Sequence, residues 1–369
     1  MSKRLGSALP PRAVIGILGG GQLGRMLALA ASDMGYRVAI LAPEDGAPAF
    51  DVAWQHIQVP YTDTAALDRL AETCSVITYE FENVPADTAE ALLGRVPLAP
   101  QPHVLATTQD RALEKMFLET AGIAVAPWRQ VDSPTDLDDA RTVLGSDAIL
   151  KTRRLGYDGK GQTSLSADLS SADAFDAIGN APAVLEARIP FEREISVIGA
   201  RDWYGGFAAY DPGENVHHNH ILATTDVPAG IAPETAQTAI ATARAIAKAF
   251  DYIGVFGVEF FVVRDGDTET LLVNEIAPRV HNSGHWTQAA CPVNQFAQHI
   301  RCVAGWPVGD TRRLADTRMT NLLGDTALDP ALAAIRARPG SSVHLYGKAD
   351  ARPGRKMGHV TEILPRRER

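Results

Sequence analysis

Gly254-Val255-Phe256-Gly257-Val258-Glu259-Phe260-Phe261-Val262-Val263-Arg264, then Asp265-Gly266-Asp267, then Glu269-Thr270-Leu271-Leu272-Val273-Asn274-Glu275-Ile276 is the stretch that decides the fold of this chain. Two runs rich in β-branched and aromatic residues flank a strong turn signal, which reads as an antiparallel hairpin. Centred on Asp267, the hairpin sets Glu259 opposite Glu275 on one face and pairs Phe261 with Val273 further along. Carboxylates directly across a ladder repel each other unless a cation lies between them. Oxygen ligands without thiolates favour magnesium. The alternatives are that both carboxylates face solvent or that one pairs with Arg279, and a one-residue slip would separate them. The chain then runs on through Ala277-Pro278-Arg279-Val280-His281-Asn282-Ser283-Gly284-His285-Trp286. A packed core has no use for a guanidinium, two imidazoles and a carboxamide so close together, because buried polar groups without partners are costly. A site for a metal, phosphates or a small polar substrate uses all of them.

Upstream, Val14–Leu18 reads as a strand, Gly19-Gly20-Gly21-Gln22-Leu23-Gly24 as a tight turn, Arg25–Met34 as a helix and Arg37–Leu41 as a second strand. This is a β-α-β unit with a parallel sheet. Strands near His56–Val59, Val76–Tyr79 and Val96–Leu98 and a helix over Thr64–Thr73 complete a small doubly wound domain ending near Pro102. A helix is expected over Thr108–Ala121, then strands at Ala148–Lys151 and Ala183–Glu186 around a glycine-rich loop. Strands follow at Glu194–Gly199 and Trp203–Ala209, and helices at Pro233–Phe250 and Val293–Val303. A last unit from Asp310 carries short strands at Ser342–Leu345 and Val360–Ile363. The pattern is an α/β domain followed by an α+β half dominated by antiparallel strands.

With 369 residues the chain has length for two or three domains. A net charge of -9 argues against a nucleic-acid surface as the main function. Cys74, Cys291 and Cys302 have no metal or disulfide spacing, so a reducing cytoplasm is the simplest compartment. Met1–Arg12 lacks the apolar stretch of a signal peptide, and no run is long and apolar enough for a membrane span.

Gly19, Gly21 and Gly24 fit the spacing of a dinucleotide turn, with Glu44 or Asp45 as a ribose acid. Another anionic ligand, or turn geometry alone, explains the glycines equally. Gly156-Tyr157-Asp158-Gly159-Lys160-Gly161-Gln162, after Lys151 and Arg153-Arg154, is either a flexible hairpin tip or a flap whose N–H groups wrap phosphates. Lys151 tips this toward phosphate. His217, His218 and His220 lack a zinc spacing, but one of them touching a ligand is plausible. Lys348, Arg352, Arg355 and Lys356 straddle Pro353-Gly354, as a solvated surface or as an anion-binding turn.

In chain order, the Gly19–Gly24 turn, Tyr79-Glu80-Phe81-Glu82-Asn83-Val84, Asp110-Arg111, Leu150-Lys151, Tyr157–Gln162, Asn274–Trp286 and Tyr346-Gly347-Lys348 with Arg352–His359 closely resemble the 5-(carboxyamino)imidazole ribonucleotide synthases. The resemblance runs from about Val14 to Ile363. It implies an ATP-grasp fold: an N-terminal α/β substrate-binding domain over 1–106, a lid subdomain with linker over 107–186, a catalytic subdomain over 187–309 and a small C-terminal β-rich unit over 310–369. It implies carboxylation of the amine of 5-aminoimidazole ribonucleotide with MgATP and bicarbonate, through carboxyphosphate, by a cytoplasmic homodimer.

By matching motif, Arg111 and Lys151 would contact ATP phosphates, Gly156, Tyr157, Asp158, Gly159, Lys160, Gly161 and Gln162 would form the lid, and Asn274 would sit beside the nucleotide. Glu186, Ala187, Arg188 and Ile189 would meet adenine through the backbone, Glu194 would hold the ribose, and His217 would contact the nucleotide. Glu259 and Glu275 would bind magnesium. Arg279, His281 and Asn282, with Lys151, would surround the reacting bicarbonate or carboxyphosphate. Gly20, Gln22, Tyr79, Glu80, Lys348 and Arg355 would hold the ribonucleotide. The competing readings are another ATP-grasp ligase, such as a formate-dependent ribonucleotide transformylase, and a nicotinamide-dependent oxidoreductase built on the glycine turn.

Overall fold

A computed structural model describes residues 3–156, 159–324, 333–335 and 337–365. The first layer is a parallel sheet of β1 (Val14–Leu18), β2 (Arg37–Ala42), β3 (Gln55–Gln58) and β4 (Val76–Tyr79), in the order β3-β2-β1-β4. Crossovers run through α1 (Gln22–Asp33) and α2 (Thr64–Thr73), and α3 (Ala86–Leu92) follows β4. Asp63 caps α2 by accepting the Ala66 N–H at 2.8 Å. The expected strand over Val96–Leu98 is reduced to a single bridge between Leu98 and Ile77.

Next come α4 (Pro102–Thr108) and α5 (Arg111–Thr120). The helix expected from Thr108 breaks in two because the Asp110 carboxylate accepts from the Ala112 and Leu113 N–H groups, starting a new helix at Arg111. A second sheet joins β5 (Trp128–Val131), β6 (Ala148–Thr152), β7 (Gln162–Ser164) and β8 (Ala183–Ala187) in the order β5-β8-β6-β7, with α6 (Pro134–Leu144) and α7 (Ser171–Ala177) packed on it.

The remaining strands are β9 (Arg193–Arg201), β10 (Phe207–Ala209), β11 (Gly213–His218), β12 (Ile221–Val227), β13 (Gly254–Asp265), β14 (Thr268–Ala277), β15 (Asp316–Leu323), β16 (Ser341–Leu345) and β17 (Lys356–Leu364). Among the described residues they form one sheet, ordered β14-β13-β9-β11-β12-β15-β17-β16, with β10 beside β9. The expected strand Trp203–Ala209 shrinks to its last three residues because Asp202 accepts from the Tyr204 and Gly206 N–H groups and turns the chain. β15 pairs with β12 and so extends the central sheet.

Helix α8 (Pro233–Ala249) packs on this sheet through Ala239, Ala243, Ile246 and Ala247. Beyond a short helix α9 (Thr287–Ala290), α10 starts at Gln295 rather than Val293, because the Asn294 side chain caps it, and runs to Val303. A shared core of Leu27 on α1, Ile300 and Val303 on α10, Trp286 and Tyr346 joins the N-terminal domain to the central sheet. No helix among the described residues is long and apolar enough to cross a membrane.

Candidate active site

The β13–β14 ladder does place Glu259 opposite Glu275, by a different route from the one expected. From the tip inward the register is that of a two-residue Gly266-Asp267 turn, so Phe260 pairs with Val273 and Phe261 with Leu272, correcting the expected Phe261–Val273 pair. Asn274 then enters as the extra residue of a β-bulge, and beyond it Glu275 faces Glu259 and Ile276 faces Val258. Burial, followed by repulsion from Glu275, pushes the Glu259 carboxyl up to about 8. That is the environment a dication relieves, so both carboxylates fit a magnesium ion. Glu275 lies 3.5 Å from the Arg111 guanidinium. The alternative pairing of a hairpin carboxylate with Arg279 does not occur: Arg279 is held by Glu82, through Nε and through a 2.7 Å bond to Oε1. Burial opposes ionisation of Glu82, but Arg279 outweighs it and keeps the carboxyl below its ordinary range.

These residues line a cleft of about 460 Å³ between the two antiparallel sheets. Lys151, Gly156, Gly159, Lys160, Gln162, Arg188, Glu194, His217, Asn274, His281 and Asn282 also border it. Tyr157 and Asp158 lie outside the described residues. The amide oxygen and nitrogen of Asn282 are buried without a partner among the described residues. Burial, reinforced by Arg279, holds the His281 imidazole well below its ordinary value and therefore neutral. Its Nδ1 is 2.8 Å from Ser283 Oγ and its Nε2 is 3.5 Å from Glu259 Oε1. Together these groups can receive a small oxyanion next to a metal site.

On the second sheet, Lys151 Nζ donates to Glu186 Oε2 at 2.9 Å. Burial disfavours charge on Glu186, yet Lys151, Lys115 and Arg111 hold its carboxyl down at about 2. Lys115 Nζ stands 3.3 Å from Glu186 Oε1 and is almost fully buried. Sequence reading assigned Glu186 a backbone role only and missed Lys115. The Ala187 and Arg188 N–H groups are bonded to the carbonyls of Pro127 and Asp147, so they are not open to a purine. Phe191 and Phe261, stacked with ring centres 4.7 Å apart, border the cleft beside Glu194 and supply an apolar wall not anticipated.

The three clustered histidines differ in their surroundings. His217 Nδ1 is 3.4 Å from Glu194 Oε1, and although burial works against it, that carboxylate raises the imidazole's affinity for a proton. Suitable ligand atoms of Glu194, His217 and Glu259 lie within 4.8 Å of one another. His218 is exposed. His220 is exposed as well, and a Cβ on Gly159 would come within 2.7 Å of its imidazole. The pair Arg153-Arg154 is spent on Asp110: Arg153 grips the carboxylate with bonds of 2.9 and 2.8 Å, and Arg154 adds one of 3.2 Å.

The glycine turn already holds a carboxyl group of this chain. Glu80 Oε1 accepts from the Gly21 N–H at 2.7 Å and Oε2 from the Gly24 N–H at 3.2 Å. A Cβ on Gly19 would lie 2.4 Å from Glu80 Cγ. The glycines make room for this carboxylate at the start of α1, where a dinucleotide's phosphates would have to sit. The oxidoreductase reading loses its basis here. Gly20 is buried against Ala42 and Ala47, and Gln22 opens α1. Tyr79 is buried, with its hydroxyl unpartnered among the described residues.

The C-terminal basic turn comes back to this region. A Cβ on Gly347 would lie 3.7 Å from Asp51 of the first domain, and Tyr346 is part of the shared core. Lys348 Nζ donates to the Lys356 carbonyl at 2.8 Å, and burial together with Arg355 pushes the ammonium down to about 8. Glu80 also acts on it electrostatically. Arg355 donates to the Asp350 carbonyl at 2.9 Å.

Known families match in the same order as these layers. A ribonucleotide synthetase preATP-grasp domain matches residues 12–109, an ATP-grasp domain 116–296, and a phosphoribosylaminoimidazole carboxylase C-terminal domain 317–369. The N5-carboxyaminoimidazole ribonucleotide synthase of Brucella melitensis is 52% identical over 98% of this chain and 99% of its own length. A solved N5-carboxyaminoimidazole ribonucleotide synthetase in its ADP complex superposes with a TM-score of 0.93 at 40% identity, over 98% of this chain and 94% of the other. An Aspergillus clavatus N5-carboxyaminoimidazole synthase in complex with ADP and 5-aminoimidazole ribonucleotide superposes with a TM-score of 0.89 at 31% identity, over 96% and 94%. From its first sheet to its last strand, the chain belongs to the N5-carboxyaminoimidazole ribonucleotide synthase family of ATP-grasp enzymes.

Proposed function

We infer that this chain is the ligase that uses ATP to carboxylate the exocyclic amine of 5-aminoimidazole ribonucleotide in purine biosynthesis. The observation that carries the reading is a single cleft bordered by the flap glycines, Lys151, the Glu259–Glu275 pair and the unpartnered Asn282 amide. A hydride transferase needs none of these. Bicarbonate is the carbon source in this reading. It is a poor electrophile, so ATP first phosphorylates it to carboxyphosphate, and the ribonucleotide amine then attacks the carboxyl carbon and releases phosphate.

Glu259 and Glu275 would hold the magnesium, which when bound offsets charge on the nucleotide phosphates. Arg111 and Lys151 orient the phosphates. Arg279, neutral His281 and Asn282 receive bicarbonate, and the preorganised guanidinium faces the charge that develops on it. Residues 156–162 close over the cleft and exclude water, which would otherwise hydrolyse carboxyphosphate. Phe191, Phe261, Glu186–Ile189, Glu194 and His217 shape the adenosine end. Gly20, Gln22, Tyr79, Glu80, Lys348 and Arg355 hold the ribonucleotide. The assembly in this reading is a cytoplasmic homodimer, for which light scattering is the check.

The test is ADP release from ATP with bicarbonate, with and without 5-aminoimidazole ribonucleotide, and with formate in place of bicarbonate. Release that requires bicarbonate and rises with the ribonucleotide is expected. Equal turnover with formate would instead make the chain a transformylase.

A further inference from the structure

Helix α5 buries Ala112 and Leu118 on its core side, and two charged side chains with them. Leu113 and Met116 are exposed, whereas Glu114 and Lys115 are buried. Two of these inward charges border the cleft or its walls: Lys115 meets Glu186 on the β5–β8 sheet, and Glu114 meets the end of β14. Glu114 is 3% exposed, and its Oε1 accepts the Ile276 N–H at 2.8 Å.

That bond sits at a sensitive place. β14 is the outermost strand of its sheet, so its outward N–H groups have no neighbouring strand to bond. The Val273 N–H is taken by the Ala124 carbonyl at 2.9 Å, and the Ile276 N–H by Glu114. Between these two fastenings lie the bulge residue Asn274 and the metal-ligand candidate Glu275. A bulge interrupts the ladder locally. Glu275 faces Glu259 only while the strand beyond the bulge keeps its one-residue advance. A carboxyl is also a costly way to pack a helix against a strand, and burial followed by repulsion from Glu275 pushes Glu114 up to about 8.

We propose that Glu114 is a positioning residue for the metal pair: its carboxyl oxygen pins the Ile276 amide and thereby fixes Glu275 across from Glu259. The proposal rests on the reading of Glu259 and Glu275 as magnesium ligands. Glu114→Met keeps the volume and removes the acceptor, and Glu114→Gln restores an oxygen at the same place. The first measurement is amide hydrogen exchange at Ile276 in the full chain without nucleotide or metal. The Met variant should exchange there at least about tenfold faster than the parent while distant core amides stay protected, and the Gln variant should restore protection. The second is the magnesium concentration giving half-maximal ADP release. Losing a group that orients a ligand typically weakens metal affinity by about 10–100-fold, so the Met variant should need that much more magnesium, with Gln bringing it back.

Unchanged exchange at Ile276 in a folded Met variant overturns the proposal. So does loosened exchange without a shift in magnesium response, or a Gln variant as impaired as Met. Glu275→Gln is the control for the underlying reading. If it leaves magnesium dependence intact, the metal assignment falls and with it the role proposed for Glu114, whatever Ile276 does.

Discussion

Glu259 shows how one residue's surroundings set the chemistry of the cleft. A carboxyl pushed up to about 8 is largely protonated at pH 6 and mostly ionised by pH 9. Magnesium needs the ionised form, so binding must release a proton below that value. Apparent magnesium affinity should therefore weaken as pH falls from 9 to 6, by up to about tenfold per unit below pH 8. In the absence of metal the sign for stability is opposite to that of an ordinary salt-bridged acid. The folded state keeps a proton that the unfolded state gives up, so Glu259 lowers stability as pH rises from the ordinary carboxyl range towards 8. Magnesium titrations across that range check the first statement, and thermal melts with and without magnesium check the second. Glu275→Gln should abolish magnesium-dependent turnover while leaving the fold intact, because it removes charge and keeps volume. Near-normal activity at ordinary magnesium would exclude Glu275 as an essential ligand. The opposition of these two carboxylates was legible in the sequence from a turn signal and counting. The bulge at Asn274 was not, since a bulge has no signature in an apolar run, and the expected pairing came right only because that extra residue compensates for a tighter turn.

Among the elements, α5 and the flap carry the clearest lessons. Sequence patterning gave a helix over Thr108–Ala121 without saying what its faces touch. The helix turns Glu114 and Lys115 inward alongside Leu118, where they meet the Ile276 N–H and the Glu186 carboxylate. Periodicity reports which residues share a face but not what that face touches. The glycine spacing marked a loop here, and the structure adds a reason for two of its glycines. Gly159 and Gly161 have φ of +79 and +70, and Cβ atoms there would collide with His220 and Thr152. Gly159→Val should thus prevent the flap from seating. The expected result is more ATP hydrolysed per product formed, read as phosphate release against carboxylated ribonucleotide. A slower enzyme with an unchanged ratio would mean that the loop does not guard carboxyphosphate.

At the scale of the whole molecule, the two ends of the chain meet. The Tyr346–Lys348 segment returns to the first domain, near Asp51 and Glu80, although some 270 residues separate it from Glu80 in sequence. Local patterning could not show this, and the resemblance alone supplied it. If Lys348 and Arg355 hold the ribonucleotide phosphate, Arg355→Ala removes a charge-assisted bond worth roughly 1.5–3 kcal/mol, or about tenfold to a hundredfold in affinity. The KM for the ribonucleotide should rise by that factor while the KM for ATP changes little. Because Lys348 sits near 8, the ribonucleotide KM of the parent should also climb above that pH as the ammonium loses its proton, and Lys348→Arg should flatten the rise. A Lys348–Arg355 double variant that loses ATP binding instead would place the basic turn in the nucleotide site.

The shared sheet from β14 to β16 bears on how this chain can be shortened. β15 is bonded along Thr224–Val227 of β12 and is itself covered by β17. A chain cut near residue 309 would keep every group assigned to ATP, but it would bare the flank of β12, where Ile221-Leu222-Ala223-Thr224-Thr225-Asp226-Val227 is rich in β-branched residues. Such an open flank recruits strands from other copies. The truncated protein should therefore come out as aggregates rather than as a smaller nucleotide-binding unit, a difference that sedimentation of the expressed fragment reveals directly.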